Sequence, residues 1–201
     1  MDINGQTHEG NTPLHCLMQS KVDNSVKIRL VERLLAHGDL DVDAKNNEDC
    51  RPIFFACKMC NVVLVRFLVE KCKADLTQKT CDGLNVLHAI VENKHGDRKK
   101  SEQQDECVEY LINECKAEWL THERDERGLL PYQLAIISRL ESTVLQLLLL
   151  ATNEEILDPA GSYTSMYPLS KCIQKNISKN ELESVDFTLT YITYSIDTFI
   201  K

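Results

Sequence analysis

One short pattern occurs four times along this chain of 201 residues, and no other feature of the sequence constrains the fold as much. Each copy has a polar or glycine-containing turn, then proline or a substitute for it, then apolar residues. The copies are GNTPLHCLM (10–18), DCRPIFFAC (49–57), DGLNVLHAI (82–90) and RGLLPYQLA (127–135). Separations of 39, 34 and 45 residues divide the aligned positions Pro13, Pro52, Val86 and Pro131. A period of this length is typical of repeat proteins.

A second apolar segment follows each copy and has the spacing of a helix. The segments are 29–38, 62–76, 107–120 and 143–150. In the second one, apolar residues fall at i, i+3, i+6 and i+7, which is a helical rather than a strand period; they are Val62, Val65, Leu68 and Val69. A pair of short helices cannot cover its own apolar side, so neighbouring pairs must stack.

The turns predict where the first helix of each pair begins. Proline is tolerated in the first helical turn, where its missing N–H would have no partner, and Thr12 is a suitable N-cap for the helix that follows it. Glycine recurs in the turns and permits the positive φ of a tight hairpin; it stands at Gly10, Gly83 and Gly128. The predicted fold class is therefore all-α, a solenoid of helix-turn-helix units joined by β-hairpin-like loops.

The tetrapeptide TPLH at 12–15 is typical of ankyrin repeats, and the chain resembles this family over about residues 5–150. The phrases EKCKADL (70–76) and NECKAEWL (113–120) close two successive units. The resemblance implies one solenoid domain over 1–201, with repeats at about 5–45, 46–79, 80–124 and 125–155 and a degenerate repeat or cap at 156–201. The departures from the family pattern are Arg51 and Leu130 for threonine, Val86 for proline, and Phe54 and Gln133 for histidine.

Charge and cysteine content exclude several classes of protein. Lys and Arg number 23 against 31 Asp and Glu, a net charge of −8, so the basic surface that nucleic acid requires is not expected. The longest apolar run, 144–151, is too short to cross a bilayer. The first residues do not form a signal peptide, and nine cysteines indicate reduced thiols rather than a disulfide framework. We expect a monomer in the cytoplasm or nucleus.

No arrangement of residues in the sequence favours catalysis, a cofactor or a metal. His15 and His88 occupy equivalent repeat positions, where the family uses histidine to tie adjacent hairpins together. Cys57 and Cys60 form a CxxC, but no second ligand pair follows at the spacing of a zinc site. The insertion at 94–105 is polar and basic, which predicts a mobile solvated loop rather than a binding finger.

The resemblance also implies a protein-binding surface, since the hairpin tips and inner helices of ankyrin stacks form a concave face that contacts partners. Four apolar residues would lie on this face and are candidate anchors: Met59, Leu84, Leu129 and Ile137. The acidic tips there favour a basic rim on the partner; the charged residues predicted for the face are Glu48, Asp82, Glu92, Glu126 and Arg127. The alternative is that the tail or the long loop covers the apolar positions.

The predicted function is thus a non-catalytic protein-protein interaction module. One alternative is a regulatory or adaptor fragment of a larger enzyme, channel or ubiquitin ligase, because the C-terminus looks unfinished for a solenoid. Another is a small pathogen-encoded ankyrin mimic that inhibits a host protein, because the chain is short and its repeats are degenerate.

Overall fold

The computed structural model describes residues 2–92 and 98–137, with the backbone alone at 98–101, 136 and 137. All regular elements in these ranges are helical, and tight hairpins connect successive helix pairs. The predicted all-α repeat solenoid is confirmed. The second helix of repeat four (143–150) and the degenerate repeat or cap (156–201) lie outside the described residues. They and the domain boundaries stay predictions.

The helices alternate between two layers. In chain order the α-helices of the described ranges are α1 (Pro13–Gln19), α2 (Asn24–Ala36), α3 (Pro52–Lys58), α4 (Val62–Glu70), α5 (Val86–Glu92), α6 (Arg98–Glu109) and α7 (Pro131–Ile137). Helices α1, α3, α5 and α7 pack in succession as the inner layer, and α2, α4 and α6 pack as the outer layer. Every inner helix therefore begins at the aligned proline or valine.

The apolar core lies between these layers and between neighbouring repeats. Leu14, Ile53 and Leu87 of the inner helices are buried, as are Val31 and Leu64 of the outer helices. Burying one such side chain contributes about 1.5–3 kcal/mol relative to leaving it in water. Because each layer is built from contacts between successive repeats, every repeat is stabilised by its neighbours.

Two outer helices, α2 and α6, begin earlier than their apolar segments indicate, whereas α4 begins with its segment at Val62. Helix α2 begins at Asn24, five residues before the apolar segment that starts at residue 29. The Asp23 carboxylate caps this helix by accepting the Ser25 N–H at 2.8 Å. A capping residue followed by polar residues thus extends the helix beyond its apolar stripe.

The prediction of a mobile loop at 94–105 is wrong for most of its length, because α6 begins at Arg98. Gln104 is fully buried, and its Nε2 donates to the carbonyl of Ile90 at 3.0 Å. The insertion is therefore a helix held against the inner layer by an amide. Its residues carry too few apolar side chains for a hydrophobic period to show.

A π-helical turn, Tyr110–Glu114, continues α6 and joins it to α4. The Cys115 N–H closes the wide turn on the carbonyl of Tyr110 at 3.0 Å. Arg66 of α4 forms a bidentate pair with Glu114, with Nη2 to Oε1 at 2.6 Å. Its guanidinium carbon lies 4.2 Å from the centre of the Tyr110 ring. The ion pair and the cation-π contact together clamp the outer helices of repeats two and three.

Each repeat opens on a hairpin closed by the same two backbone hydrogen bonds. The backbone N–H of the first residue donates to the carbonyl of the fifth residue. The N–H of the fourth residue donates to the carbonyl of the first, and all these N···O distances are 2.9–3.0 Å. The first residues of the four hairpins are Thr7, Asn46, Thr80 and Asp125. They are separated by 39, 34 and 45 residues, which confirms the repeat register predicted from the aligned prolines.

The fourth residue of each hairpin has a positive φ, and glycine occupies this position in three hairpins. Asp49 adopts φ 57° in the second hairpin, whereas Gly83 adopts φ 73° in the third. A Cβ added at Gly83 would lie 2.9 Å from the backbone nitrogen of Glu126 in the next hairpin. Gly83 thus permits both the left-handed backbone and the close approach of repeat four.

Replacing Gly83 with alanine is expected to lower the free energy of unfolding by more than the same change at Gly128. Both changes place a Cβ on left-handed backbone, which costs about 1–2 kcal/mol. Only the Gly83 methyl meets the next hairpin, since a Cβ at Gly128 has no atom within 4 Å. Urea unfolding monitored by circular dichroism measures the difference. Equal losses in the two variants would contradict the requirement for close approach.

Candidate functional site

The hairpin tips are joined to one another by backbone hydrogen bonds, one at each junction between repeats. An N–H near the tip of one hairpin donates to a carbonyl at the tip of the preceding hairpin. The pairs are Asn47 to Glu9 at 3.1 Å, Cys81 to Glu48 at 3.0 Å and Glu126 to Asp82 at 3.0 Å. These bonds align four tips in one row, which is called the tip row below.

Each tip is also fixed from within by a side chain. The side chain of the first residue of each hairpin accepts the backbone N–H of the fifth residue, a local bond from side chain to backbone. The pairs are Thr7 with Asn11 at 3.2 Å, Asn46 with Cys50 at 2.9 Å, Thr80 with Leu84 at 3.2 Å and Asp125 with Leu129 at 2.8 Å. The tip row is therefore preorganised.

His15 ties the first repeat to the second hairpin. Its Nδ1 accepts the N–H of Thr12, which is the N-cap of α1 as predicted, at 3.1 Å. Its Nε2 lies 3.0 Å from the carbonyl of Cys50. A backbone N–H can only donate and a carbonyl can only accept, so the neutral ring carries its proton on Nε2. Burial lowers the pKa of His15, although the hydrogen bond to Cys50 acts in the opposite direction.

His88 ties the third repeat to the fourth hairpin in the same way. Its Nε2 lies 3.0 Å from the carbonyl of Leu129, and it is fully buried. Burial lowers the pKa of His88, while the Leu129 carbonyl and Asp125 act to raise it. We call His15 and His88, each with the carbonyl it contacts, the histidine latches. The structural role predicted for both residues agrees with these contacts.

A family model of ankyrin repeats in three copies matches residues 1–80 and 22–118. The chain belongs to the ankyrin repeat family. The matches end before the fourth hairpin, yet that hairpin has the same backbone hydrogen bonds as the other three. A search of curated proteins gives no significant match. Ankyrin repeats generally mediate protein-protein interaction and are typically non-catalytic.

The acidic residues predicted for the binding face lie on the tip row or beside it. Glu48, Asp82 and Glu126 are exposed at successive tips. Glu92 is half-buried at the end of α5 and lies 3.5 Å from Lys58 of α3. Arg127 is exposed, and its Nη2 lies 2.7 Å from the buried carboxylate of Asp125. Arg127 therefore partly offsets the negative charge of the fourth tip.

The predicted apolar anchors differ in exposure. Met59 is 52% exposed, Leu129 is half-buried, and the side chain of Ile137 lies outside the described residues. Leu84 is only 7% exposed, so the expectation that solvent reaches it is wrong. It is the fifth residue of its hairpin, and Cys50 at the equivalent position is 5% exposed. The stack shields this position in the second and third hairpins, whereas Asn11 and Leu129 at the equivalent positions are half-buried.

The cysteines of the described residues are free thiols. Cys57 and Cys60 of the CxxC are both buried, and burial raises the pKa of Cys57 well above its ordinary value. Among the residues with described positions, no group of three or more His, Cys, Asp or Glu side chains could hold a metal ion. No helix in the same part of the chain has the length and apolar character needed to span a membrane.

Sequence reasoning missed Asn85, which contacts the histidine of the second latch. It stands where Thr12 stands in the first repeat, directly before the inner helix. Its side chain accepts the N–H of Leu87 at 3.0 Å and lies 2.8 Å from the His88 ring. The signal was present in the alignment, since TPLH at 12–15 corresponds to NVLH at 85–88.

Replacing Leu84 with lysine is expected to destabilise the fold by more than about 2 kcal/mol, because it buries an unpaired charge. Met59→Lys is the matched control and is expected to change the free energy of unfolding by less than about 0.5 kcal/mol. Urea unfolding of both variants checks this. Similar stabilities in the two variants would show that Leu84 is accessible after all.

The chain is expected to lose stability as the pH falls from about 7 to about 5. Burial lowers the pKa of both latch histidines, so the unfolded chain, with its ordinary histidine pKa of about 6.5, takes up these protons first. The neutral histidines contribute their full stabilisation above a pH of about 6.5. This stabilisation is lost as the pH falls towards their lower pKa in the folded chain. Urea midpoints measured across this range test the effect.

His15→Gln provides the control for this pH dependence. Glutamine already occupies the equivalent position at Gln133, where its Oε1 accepts the Leu130 N–H at 2.9 Å. The variant is expected to fold and to show a shallower loss of stability in acid. A pH profile identical to that of the unmodified chain would rule out His15 as a source.

Proposed function

We propose that this ankyrin repeat protein is non-catalytic and binds a partner protein on its concave face. This face comprises the tip row and the exposed side of the inner helices. The observation that carries the proposal is the alignment of the tips by inter-hairpin hydrogen bonds at 3.0–3.1 Å. Loops that are fixed before binding lose little conformational freedom when a partner docks.

The charges of the tip row support a partner with a basic rim. Glu48, Asp82 and Glu126 are exposed and recur at one edge of the stack. Charges of one sign at an interface rim speed association and select against acidic partners, while contributing modestly to affinity. We also propose that the protein is a monomer and has one such face.

Met59 supports an apolar contact at the end of an inner helix. It follows the last residue of α3 and is 52% exposed, more than any other large apolar residue whose side chain the structure describes. Methionine is flexible and polarizable, so it adapts to irregular partner surfaces. Leu129 and Ile137 extend the proposed contact towards repeat four, whereas Leu84 contributes by holding the hairpin in place.

Affinity capture with single-site variants tests this function. Met59→Lys is expected to weaken capture of the partner at least about tenfold, because it places a charge at the centre of the contact. Val63→Lys is the matched control, since Val63 lies on the outer helix α4 and is 48% exposed. That variant is expected to bind as the unmodified chain does.

A photo-reactive amino acid at position 59 or 63 identifies the partner and reports the face that it touches. Cross-links from position 59 alone are expected. Cross-links mainly from position 63, or loss of capture in Val63→Lys alone, would place the partner on the outer helices and contradict the proposal.

A further inference from the structure

The two histidine latches differ in the atom that faces Nδ1. In the first latch, Thr12 Oγ1 lies 2.8 Å from His15 Nδ1, and a hydroxyl can donate its hydrogen to the ring nitrogen. In the second, Asn85 Oδ1 lies 2.8 Å from His88 Nδ1. An amide oxygen has no hydrogen to donate, so it can only accept.

The orientation of the Asn85 amide is fixed by four partners. Its Oδ1 accepts the N–H of Leu87 at 3.0 Å and that of His88 at 3.1 Å. Its Nδ2 donates to the carbonyl of Leu120 at 2.8 Å and to Glu123 Oε2 at 3.1 Å. Exchanging the oxygen and nitrogen would oppose donors to donors and acceptors to acceptors at all four contacts. The oxygen therefore faces the ring.

A neutral His88 ring cannot satisfy both of its oxygen neighbours. It has one N–H, which reaches either the Leu129 carbonyl at 3.0 Å or Asn85 Oδ1 at 2.8 Å. The other ring nitrogen then directs a lone pair at an oxygen. The backbone N–H of Asn85 compensates weakly at 3.3 Å, compared with 3.1 Å for Thr12 and His15. The doubly protonated ring donates to both oxygens.

The charges around His88 come from the hairpins that flank it. Asp125 and Glu123 favour the protonated ring, and Lys79 disfavours it. Lys79 lies 3.6 Å from Glu123, and Arg127 lies 2.7 Å from Asp125, so each carboxylate is partly neutralised. Other elements packed on α5 bring charged residues that are paired, half-buried or exposed to solvent: Lys58 of α3, Glu102, Asp105, Glu106 and Glu109 among the described side chains of α6, and Glu118 and His122 of the 3-10 helix Glu118–His122. The contact with Asn85 is therefore a second difference from His15, beside these flanking charges.

We propose that Asn85 and His88 form a proton-sensitive latch between repeats three and four, in which His88 takes up a proton more readily than His15 does. The proton comes from solvent, and the charged ring then donates to Asn85 Oδ1 and to the Leu129 carbonyl. Mild acid weakens the junction between repeats one and two more than it weakens the junction between repeats three and four. This inference concerns the stack itself and does not depend on the proposed partner.

Titration of the full chain by ¹⁵N NMR of the imidazole nitrogens tests the latch. His88 is expected to titrate about one pH unit above His15, as one added hydrogen bond to a charged group predicts. If the desolvation of the two rings sets their pKa values instead, the two residues titrate together or His88 titrates lower. Either result would overturn the proposal.

Exchanging the residue before each inner helix tests whether Asn85 causes the difference between His88 and His15. Asn85→Thr is expected to lower the His88 midpoint, and Thr12→Asn is expected to raise the His15 midpoint, each by about one pH unit. Both residues are good N-caps, so the helices should persist. Unchanged midpoints in folded variants would overturn the role of Asn85. If either variant fails to fold, the order of the two midpoints in the unmodified chain decides.

Amide exchange reports the two junctions directly. The Glu126 N–H bonds to Asp82 across the third junction, and the Asn47 N–H bonds to Glu9 across the first. Between pH 7 and pH 5, the protection factor of Glu126 is expected to rise severalfold relative to that of Asn47. A constant or falling ratio would contradict a third junction that is less sensitive to acid than the first.

Discussion

No repeat of this protein can cover its own apolar side, and the rest of the structure follows from that constraint. Inner helices pack on inner helices and outer helices on outer helices, so Leu14, Ile53 and Leu64 are buried between neighbours. The same stacking brings the hairpins close enough for a backbone hydrogen bond at each junction. It also excludes a side chain at Gly83. The alignment of the tips is therefore a consequence of core packing.

Residues with strong local effects made much of this architecture predictable from sequence. Proline and glycine fix backbone angles, so the helix starts at Pro13, Pro52 and Pro131 and the hairpin register follow from them. Helix α6 was missed because residues 98–105 are polar, and it is positioned partly by one buried amide, that of Gln104. Its place in the fold depends on a tertiary contact that no periodicity encodes.

The candidate face was predicted less completely than the fold. The acidic residues Glu48, Asp82 and Glu126 are exposed because charged side chains at hairpin tips have no reason to be buried. Leu84 is shielded because its neighbours in the stack cover it, and only coordinates reveal that. Asn85 shows a third case, in which a substitution that preserves helix capping changes the hydrogen bonds available to a neighbouring histidine.

The row of tips keeps its alignment although the repeats differ in length. Spacings of 39, 34 and 45 residues end in the same inter-hairpin contact at 3.0–3.1 Å. The additional residues of repeat three are taken up largely behind the tips, at the beginning of α6. Outer segments can therefore gain or lose residues while the geometry of the hairpin tips is retained. Such a scaffold tolerates insertions in its outer layer without a change in the shape of the tip row.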